Sequence, residues 1–238
     1  MVFQGAMNSW NPVYRVGDQI REALDTHYRG AMSYAEQRAH MEKLFNAVGL
    51  PATMLDRYPH EFSGGMRQRA VIAMALSCSP ELIIADEPTT ALDVIVQDQI
   101  LKELKRIQAE LGMSIIYISH DIAVIAEVTD SLGVMYAGKL VEYGPTADVF
   151  ARPRHPYAYL LLRSTPSITG PRRQLAPLEG EPPDLLHPPS GCRFHPRCPF
   201  ATEVCATEVP PLEEIGGGHK VACWHHDRVP ALEGALQR

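Results

Sequence analysis

The chain has 238 residues, of which 45% are hydrophobic and 21% are charged. This composition is typical of a globular protein, and the length allows a sizeable core in one or two domains. The formal net charge of -6 provides no basic field for nucleic acid or an anionic membrane. No apolar run approaches the roughly 20 residues that span a bilayer, and the first residues lack a signal-peptide pattern, so we expect a cytoplasmic protein that does not bind nucleic acid.

The first part of the chain, residues 1–150, has the patterns of an α/β domain. An amphipathic helix ending at Gly49 is indicated by apolar residues at helical spacing. Residues 82–85 (LIIA) and 115–118 (IIYI) are short apolar runs typical of buried strands, and a helical pattern lies between them. Strand, helix and strand in this order predict a parallel sheet with flanking helices. The helical positions are Met41, Leu44, Phe45 and Val48 in the first helix, and Val96, Ile100, Leu101, Leu104, Ile107 and Leu111 in the second.

The composition changes beyond Phe150. Residues 132–136 and 139–143 flank Ala137-Gly138 and predict a β-hairpin. After Phe150 come most of the 20 prolines and every cysteine except Cys78. We therefore predict two parts, an α/β domain over residues 1–150 and a proline-rich, cysteine-containing extension over residues 151–238.

Two adjacent carboxylates, Asp86 and Glu87, follow the predicted strand of residues 82–85. The carboxyl ends of parallel strands are where α/β sheets bind ligands. Mg²⁺ shares oxygen ligands with substrate phosphates, which suits Asp86, whereas Glu87 could orient or deprotonate an attacking water. A solvated acidic pair at a strand end would show the same residues, so the pair alone leaves both interpretations open.

A second candidate site lies upstream, where residues 63–69 (SGGMRQR) lead into a helical pattern. Ser63 can cap that helix, and Gly64 and Gly65 let the backbone approach a ligand closely. Free N–H groups and the positive end of the helix dipole predict an anion site suited to phosphate. A plain turn followed by solvated arginines is the alternative.

These motifs together match a known family. Residues 63–68 (SGGMRQ), 86–93 (DEPTTALD) and 118–121 (ISHD) resemble, in order and spacing, the ATP-binding cassette (ABC) family. The resemblance implies a signature motif, a Walker B pair followed by a D-loop at residues 91–93, and a switch histidine, His120. Phe62 and Met66 differ from the commonest signature, which has leucine and glutamine at these positions.

The resemblance also implies roles for single residues. Glu87 and His120 are implied to be catalytic, and Asp86 is implied to bind Mg²⁺ together with Gln4, which stands in a Q-loop-like segment. Hydrolysis of ATP would require a second ABC subunit in a head-to-tail dimer, docked on transmembrane permease subunits at the inner face of the cell membrane. The implied nucleotide-binding residues are Gln4, Ser63, Gly64, Gly65, Met66, Gln68 and Asp93.

One family element has no counterpart in this sequence. The pattern G-x-x-x-x-G-K-[ST], which cradles the phosphates, does not occur in the chain, although the resemblance implies such a loop well before the Q-loop. We therefore expect a truncated chain, with unpaired backbone groups beside the Asp86 strand where a further strand would pair.

The extension contains four clustered cysteines, Cys192, Cys198, Cys205 and Cys223. In a cytoplasmic protein such a cluster suggests a metal or iron–sulfur site before a disulfide framework. Four thiolates suit a [4Fe–4S] cluster, and the lack of C-x-x-C pairs makes zinc the less favoured alternative.

The extension resembles the C-terminal region of oligopeptide and dipeptide importer ATPases. The likeness rests on residues 155–157 (HPY), 180–183 (GEPP) and 191–198 (GCRFHPRC). It implies an energy-coupling subunit of a peptide importer that binds an iron–sulfur cluster through the four cysteines. A nickel-chelate importer ATPase and a non-catalytic metal-binding interaction module remain alternatives. A soluble ABC protein of DNA repair is disfavoured by the acidic charge balance and the Q-loop-like start.

We predict that residues 1–238 expressed alone do not hydrolyse ATP. Phosphoryl transfer depends on positioning and charge stabilisation, and the phosphate loop would supply backbone N–H donors and a lysine. The measurement is ATP binding and turnover beside a version extended through an upstream glycine-rich lysine loop. Equal specific activity in the two proteins would contradict the prediction and show that another basic group holds the phosphates.

Overall fold

The computed structural model describes residues 1–5, 9–90, 92–164 and 180–230. The chain forms two compact units, Met1–His120 and Asp121–Arg238. The composition change at residue 150 lies inside the second unit, because the hairpin that follows His120 packs with C-terminal residues. The domain boundary at residue 150 therefore stays a prediction.

The first unit has the α/β architecture expected from the sequence. Its β1 and β2 pair in parallel, with Ile84 opposite Ile116 and Asp86 opposite Ile118. Short 3-10 helices span Ala52–Asp56 and Pro59–Glu61. The longer elements are α1 (Val16–Tyr28), α2 (Tyr34–Ala47), α3 (Gly64–Leu76), β1 (Leu82–Asp86), α4 (Val94–Leu111) and β2 (Ser114–Ile118).

Capping residues set where the helices of the first unit begin. Ser33 and Glu36 form a capping box at the start of α2, in which each side chain accepts from the other's backbone N–H. Asp93 accepts a 2.9 Å hydrogen bond from the Val96 N–H at the start of α4. That helix ends at Gly112, whose φ of 64° is the left-handed conformation that glycine adopts without strain.

One face of the β1–β2 sheet forms the core of the first unit. Ile83 and Ala85 are fully buried and join a single apolar cluster with residues from all four helices, among them Phe45 and Ile100. This confirms the parallel sheet and the two amphipathic helices predicted from the apolar spacing. Each buried aliphatic side chain contributes about 1.5–3 kcal/mol relative to an exposed one.

The outer edge of β1 has a partner at its carboxyl end. Val2 forms a parallel bridge to Ala85, donating from its N–H to the Ile84 carbonyl and accepting from the Asp86 N–H at 2.9 Å. The expectation of unpaired backbone groups beside Asp86 is therefore wrong at this point. Among the described residues, β1 and β2 are both edge strands of a two-stranded sheet, and the Val2 bridge covers β1 only at its carboxyl end.

The second unit is built on an antiparallel sheet of order β3-β4-β6-β5. The predicted hairpin is confirmed, with Ala137 and Gly138 both at positive φ in its turn. Within the described parts of the chain, no helix is both long and apolar enough to cross a bilayer. The elements are α5 (Ile122–Val128), β3 (Ser131–Tyr136), β4 (Lys139–Pro145), α6 (Thr146–Ala151), α7 (Pro156–Arg163), α8 (Glu203–Thr207), β5 (Glu213–Gly216) and β6 (His219–Val221).

A buried carboxylate holds the second unit together. Glu142 on β4 accepts hydrogen bonds from the N–H groups of Arg154 and His155, at 2.7 and 2.8 Å. Its Oε1 also lies 2.7 Å from Nε2 of His219 on β6. Burial raises the pKa of Glu142, and the two backbone donors and His219 oppose that rise. This carboxylate joins β4, β6 and the segment that enters α7.

Candidate functional site

The two adjacent carboxylates singled out from the sequence, Asp86 and Glu87, lie at the carboxyl end of β1. Asp86 is the last residue of the strand, and Glu87 directly follows it. The Glu87 N–H donates to the Ile118 carbonyl at the end of β2, over 2.8 Å. Glu87 has a φ of 44°, a left-handed conformation that costs a non-glycine residue about 1–3 kcal/mol. The surrounding chain therefore fixes the direction in which this carboxylate leaves the sheet.

Three side chains converge on the Glu87 carboxylate. Oε2 accepts a 2.7 Å hydrogen bond from Nε2 of Gln4 and a 2.8 Å hydrogen bond from the hydroxyl of Thr90. Oε1 lies 2.8 Å from Nδ1 of His120. These contacts, His120 first and Thr90 next, hold the pKa of Glu87 below its usual range, so the carboxylate is charged at neutral pH.

Three of these four residues were predicted from the sequence, and Thr90 was not. Gln4, Glu87 and His120 were expected at the site from separate motifs, and the structure brings them together. Thr90 lies within the motif of residues 86–93, but the sequence assigned it no role. The available signal was its position three residues after an acidic side chain. In the structure, the Thr90 N–H donates to the Glu87 carbonyl at 3.2 Å and closes a turn.

The expected magnesium ligands, Asp86 and Gln4, lie at the same end of the sheet. Gln4 follows Val2, whose carbonyl accepts from the Asp86 N–H, and the Gln4 amide reaches Glu87. Carboxylate and amide oxygens are the donors that Mg²⁺ takes in such sites. Across the described ranges, no group of three or more His, Cys, Asp or Glu side chains could hold a metal ion by itself.

The signature segment forms the start of α3, as the sequence predicted. Ser63 is the N-cap and accepts from the Met66 N–H at 3.3 Å. Met66 packs against the apolar core, and Gln68 is only 5% exposed. The Nε2 of Gln68 has no hydrogen-bond partner among the described residues. The backbone N–H groups of the first turn are therefore better placed than either side chain to meet a ligand.

Gly65 allows α3 and α4 to approach each other closely. A Cβ added at Gly65 would lie 2.7 Å from Cγ1 of Val96, well inside contact distance. Val96 belongs to the first turn of α4, which Asp93 caps. The predicted D-loop therefore continues directly into the helix that contacts the signature glycine; its first residue, Ala91, lies outside the described residues.

The four cysteines of the extension line one small pocket of about 10 Å³ in the second unit. Burial raises the pKa of the Cys198 thiol to about 11 and that of Cys223 to about 12, and it also raises the pKa of Cys192. Metal binding to these thiols would therefore release protons. As placed, the described residues of this pocket form no group that could hold a metal ion, so the iron–sulfur prediction is not confirmed. The other lining residues are His155, Pro156, Phe194, His195, Phe200, Cys205, Pro210, Trp224 and His225.

Comparison with known proteins identifies both parts of the chain. Residues 1–90 match the family described as "ABC transporter", and residues 141–205 match "Oligopeptide/dipeptide transporter, C-terminal region". The chain is 47% identical over 230 residues to the dipeptide transport ATP-binding protein DppD of Bacillus subtilis, covering 96% of this chain and 68% of that protein. This chain belongs to the oligopeptide/dipeptide family of ABC transporter ATP-binding proteins.

Further relatives and solved structures agree with this family. The oligopeptide transport ATP-binding protein OppD of Escherichia coli is 48% identical over 226 residues, covering 94% of this chain and 66% of that protein. The dimeric bacterial ABC transporter cassette MJ0796 matches with a TM-score of 0.54 and 30% identity, covering 61% of each chain. The CbiO1 protein of Clostridium perfringens matches with a TM-score of 0.56 and 29% identity, over 63% of this chain and 57% of that one. The fold is that of ABC ATPase domains, and this chain spans about two thirds of these curated relatives.

The substitution Gly65→Ala should lower the free energy of unfolding by about 1–3 kcal/mol, because the new methyl group would overlap Val96. Adding Val96→Ala should recover part of that loss, since it removes the overlapping methyl group. Urea unfolding of the wild type, both single variants and the double variant gives the coupling energy. Strictly additive effects of the two substitutions would contradict the close contact.

Proposed function

We propose that this chain is the ATP-hydrolysing, energy-coupling subunit of an ABC importer for oligopeptides or dipeptides. The observation that carries the proposal is the convergence of Gln4, Thr90 and His120 on the Glu87 carboxylate at the carboxyl end of β1. A solvated acidic pair would not need three side-chain partners and a left-handed backbone at Glu87. The peptide-transport names of the relatives support peptides over nickel chelates as the cargo.

The geometry supports a distinct role for each residue in hydrolysis. Asp86 and Gln4 would hold Mg²⁺, which neutralises charge on the phosphates. Glu87 orients a water whose oxygen forms a bond to the γ-phosphorus, while the bond to the β–γ bridging oxygen breaks and ADP leaves with that electron pair. The water proton passes to Glu87, and His120 donates a hydrogen bond toward the γ-phosphate.

The same proposal assigns partners to two further surfaces. The N-terminal turn of α3 would offer the backbone N–H groups of Gly64, Gly65 and Met66 to ATP held by a second ABC subunit in a head-to-tail dimer. The assembly would sit on transmembrane permease subunits at the inner face of the cell membrane. Support comes from the dimeric cassette that the fold matches and from the transport names of the relatives.

A Glu87→Gln substitution tests the proposed reaction in a version of the chain that is extended through an upstream glycine-rich lysine loop and assembled with its partner subunits. Turnover should fall by about a hundredfold or more, because the amide cannot take the water proton, whereas ATP affinity should change little. Asp86→Asn is the matched control and should instead weaken Mg²⁺-dependent binding. Wild-type turnover by the Glu87→Gln assembly would remove Glu87 from the catalytic role.

We also propose that Cys192, Cys198, Cys205 and Cys223 bind one [4Fe–4S] cluster in the second unit. Their common pocket supports this, because four thiolates are the usual ligands of such a cluster. The backbone N–H of Cys192 donates to the Cys205 carbonyl over 2.8 Å, which links two of the four ligand segments. Binding a cluster would require the cysteine side chains to rearrange from their present positions.

Anaerobic purification should yield brown protein with iron and acid-labile sulfide in the ratio of one cluster per chain. Replacing any one of the four cysteines by serine should lower the iron content, whereas Cys78→Ser should leave it unchanged, because Cys78 packs beside the core of the first unit. Iron and sulfide analysis of each variant provides the measurement. Colourless protein that contains stoichiometric zinc would show that the four cysteines bind zinc and not an iron–sulfur cluster.

A further inference from the structure

The hydrogen bonds on Glu87 divide unequally between its two oxygens. Gln4 and Thr90 both donate to Oε2, and His120 alone of the three lies against Oε1. A carboxylate that acts as a base needs one oxygen within hydrogen-bond reach of the water. Oε2 is therefore held by two donors, whereas a movement of His120 would expose Oε1 to water.

Gln4 and His120 have other roles in the proposed reaction. Gln4 would turn toward Mg²⁺, and His120 would turn toward the γ-phosphate. The His120 side chain is 76% exposed, compared with 20% for Glu87, so the histidine has room to rotate. Once both have turned, Thr90 is the member of this trio that still contacts the carboxylate.

The backbone around Thr90 suits it to a fixed role. The Thr90 N–H donates to the Glu87 carbonyl and closes a turn whose middle residues, Pro88 and Thr89, are buried. The side chain of threonine is branched at Cβ and has few rotamers. The hydroxyl therefore lies against Oε2 without depending on a flexible side chain, unlike the amide of Gln4.

We propose that Thr90 is a positioning residue that holds Oε2 of Glu87 and so directs Oε1 toward the attacking water. When His120 leaves Oε1, the water takes its place and gives its proton to that oxygen. Thr90 itself touches neither water nor phosphate and acts through the orientation of Glu87. This inference rests on the proposed ATPase function and adds a residue that the sequence motifs did not assign.

The test compares Thr90→Val with Thr90→Ser in the same loop-extended version of the chain, assembled with its partner subunits. Valine keeps the shape but removes the hydroxyl, so kcat should fall by about tenfold or more while KM for ATP stays within about twofold. Serine keeps the hydroxyl and should restore most of kcat. Thr26→Val is the matched control, because Thr26 is an exposed threonine on α1 whose hydroxyl bonds only to its own helix, at the Glu22 carbonyl.

A double-mutant cycle separates positioning from packing. In a Glu87→Gln background, adding Thr90→Val should cause no further loss, because the oxygen that Thr90 directs no longer accepts a proton. Equal losses for Thr90→Val and Thr90→Ser, or unchanged kcat in Thr90→Val, would overturn the role of Thr90 while leaving the ATPase function in place. Absence of turnover in the unsubstituted assembly would overturn both proposals.

Discussion

The hydrogen bond from the Glu87 N–H to the Ile118 carbonyl extends the pairing of β1 and β2 beyond the last residue of β1. Because the two strands are parallel, the residues that follow them emerge at the same edge of the sheet. Glu87 and His120 come from segments separated by the whole of α4, yet their side chains lie 2.8 Å apart. Loss of this register would separate Glu87 from His120, whereas Gln4 would stay near Glu87 because Val2 pairs with β1 itself.

Much of the first unit could be predicted from local patterns. The runs at residues 82–85 and 115–118 and the spacing of apolar residues between them determined two strands and a helix, since burial on one face imposes a period on the sequence. The left-handed backbone at Glu87 had no such signal, because nothing in a glutamate indicates a positive φ. The contact of Thr90 with Glu87 depends on that backbone, so the spacing of the two residues did not by itself predict it.

The error about the strand edge has a similar physical origin. The free edge of a strand can pair with a short segment from elsewhere in the chain, but the sequence does not say which segment supplies it. Val2 fills the place next to Asp86 through two backbone hydrogen bonds, which carry no side-chain signature. In the second unit, the link from Glu142 to His219 spans 77 positions, and no periodic pattern marks residues that far apart as partners. Cysteine spacing likewise gave a common site but could not give the distances between thiols.

The absence of a Cβ at Gly65 also affects how α3 and α4 can move relative to each other. The first turn of α4 begins where the segment containing Glu87 and Thr90 ends, and Val96 in that turn lies directly against Gly65 at the start of α3. No room remains for a side chain between the two helix ends, so a shift of the first turn of α4 toward α3 would push against Gly65. A displacement of that turn would therefore be transmitted to the start of α3. In the proposed head-to-tail pair, this contact would link one nucleotide site to the other.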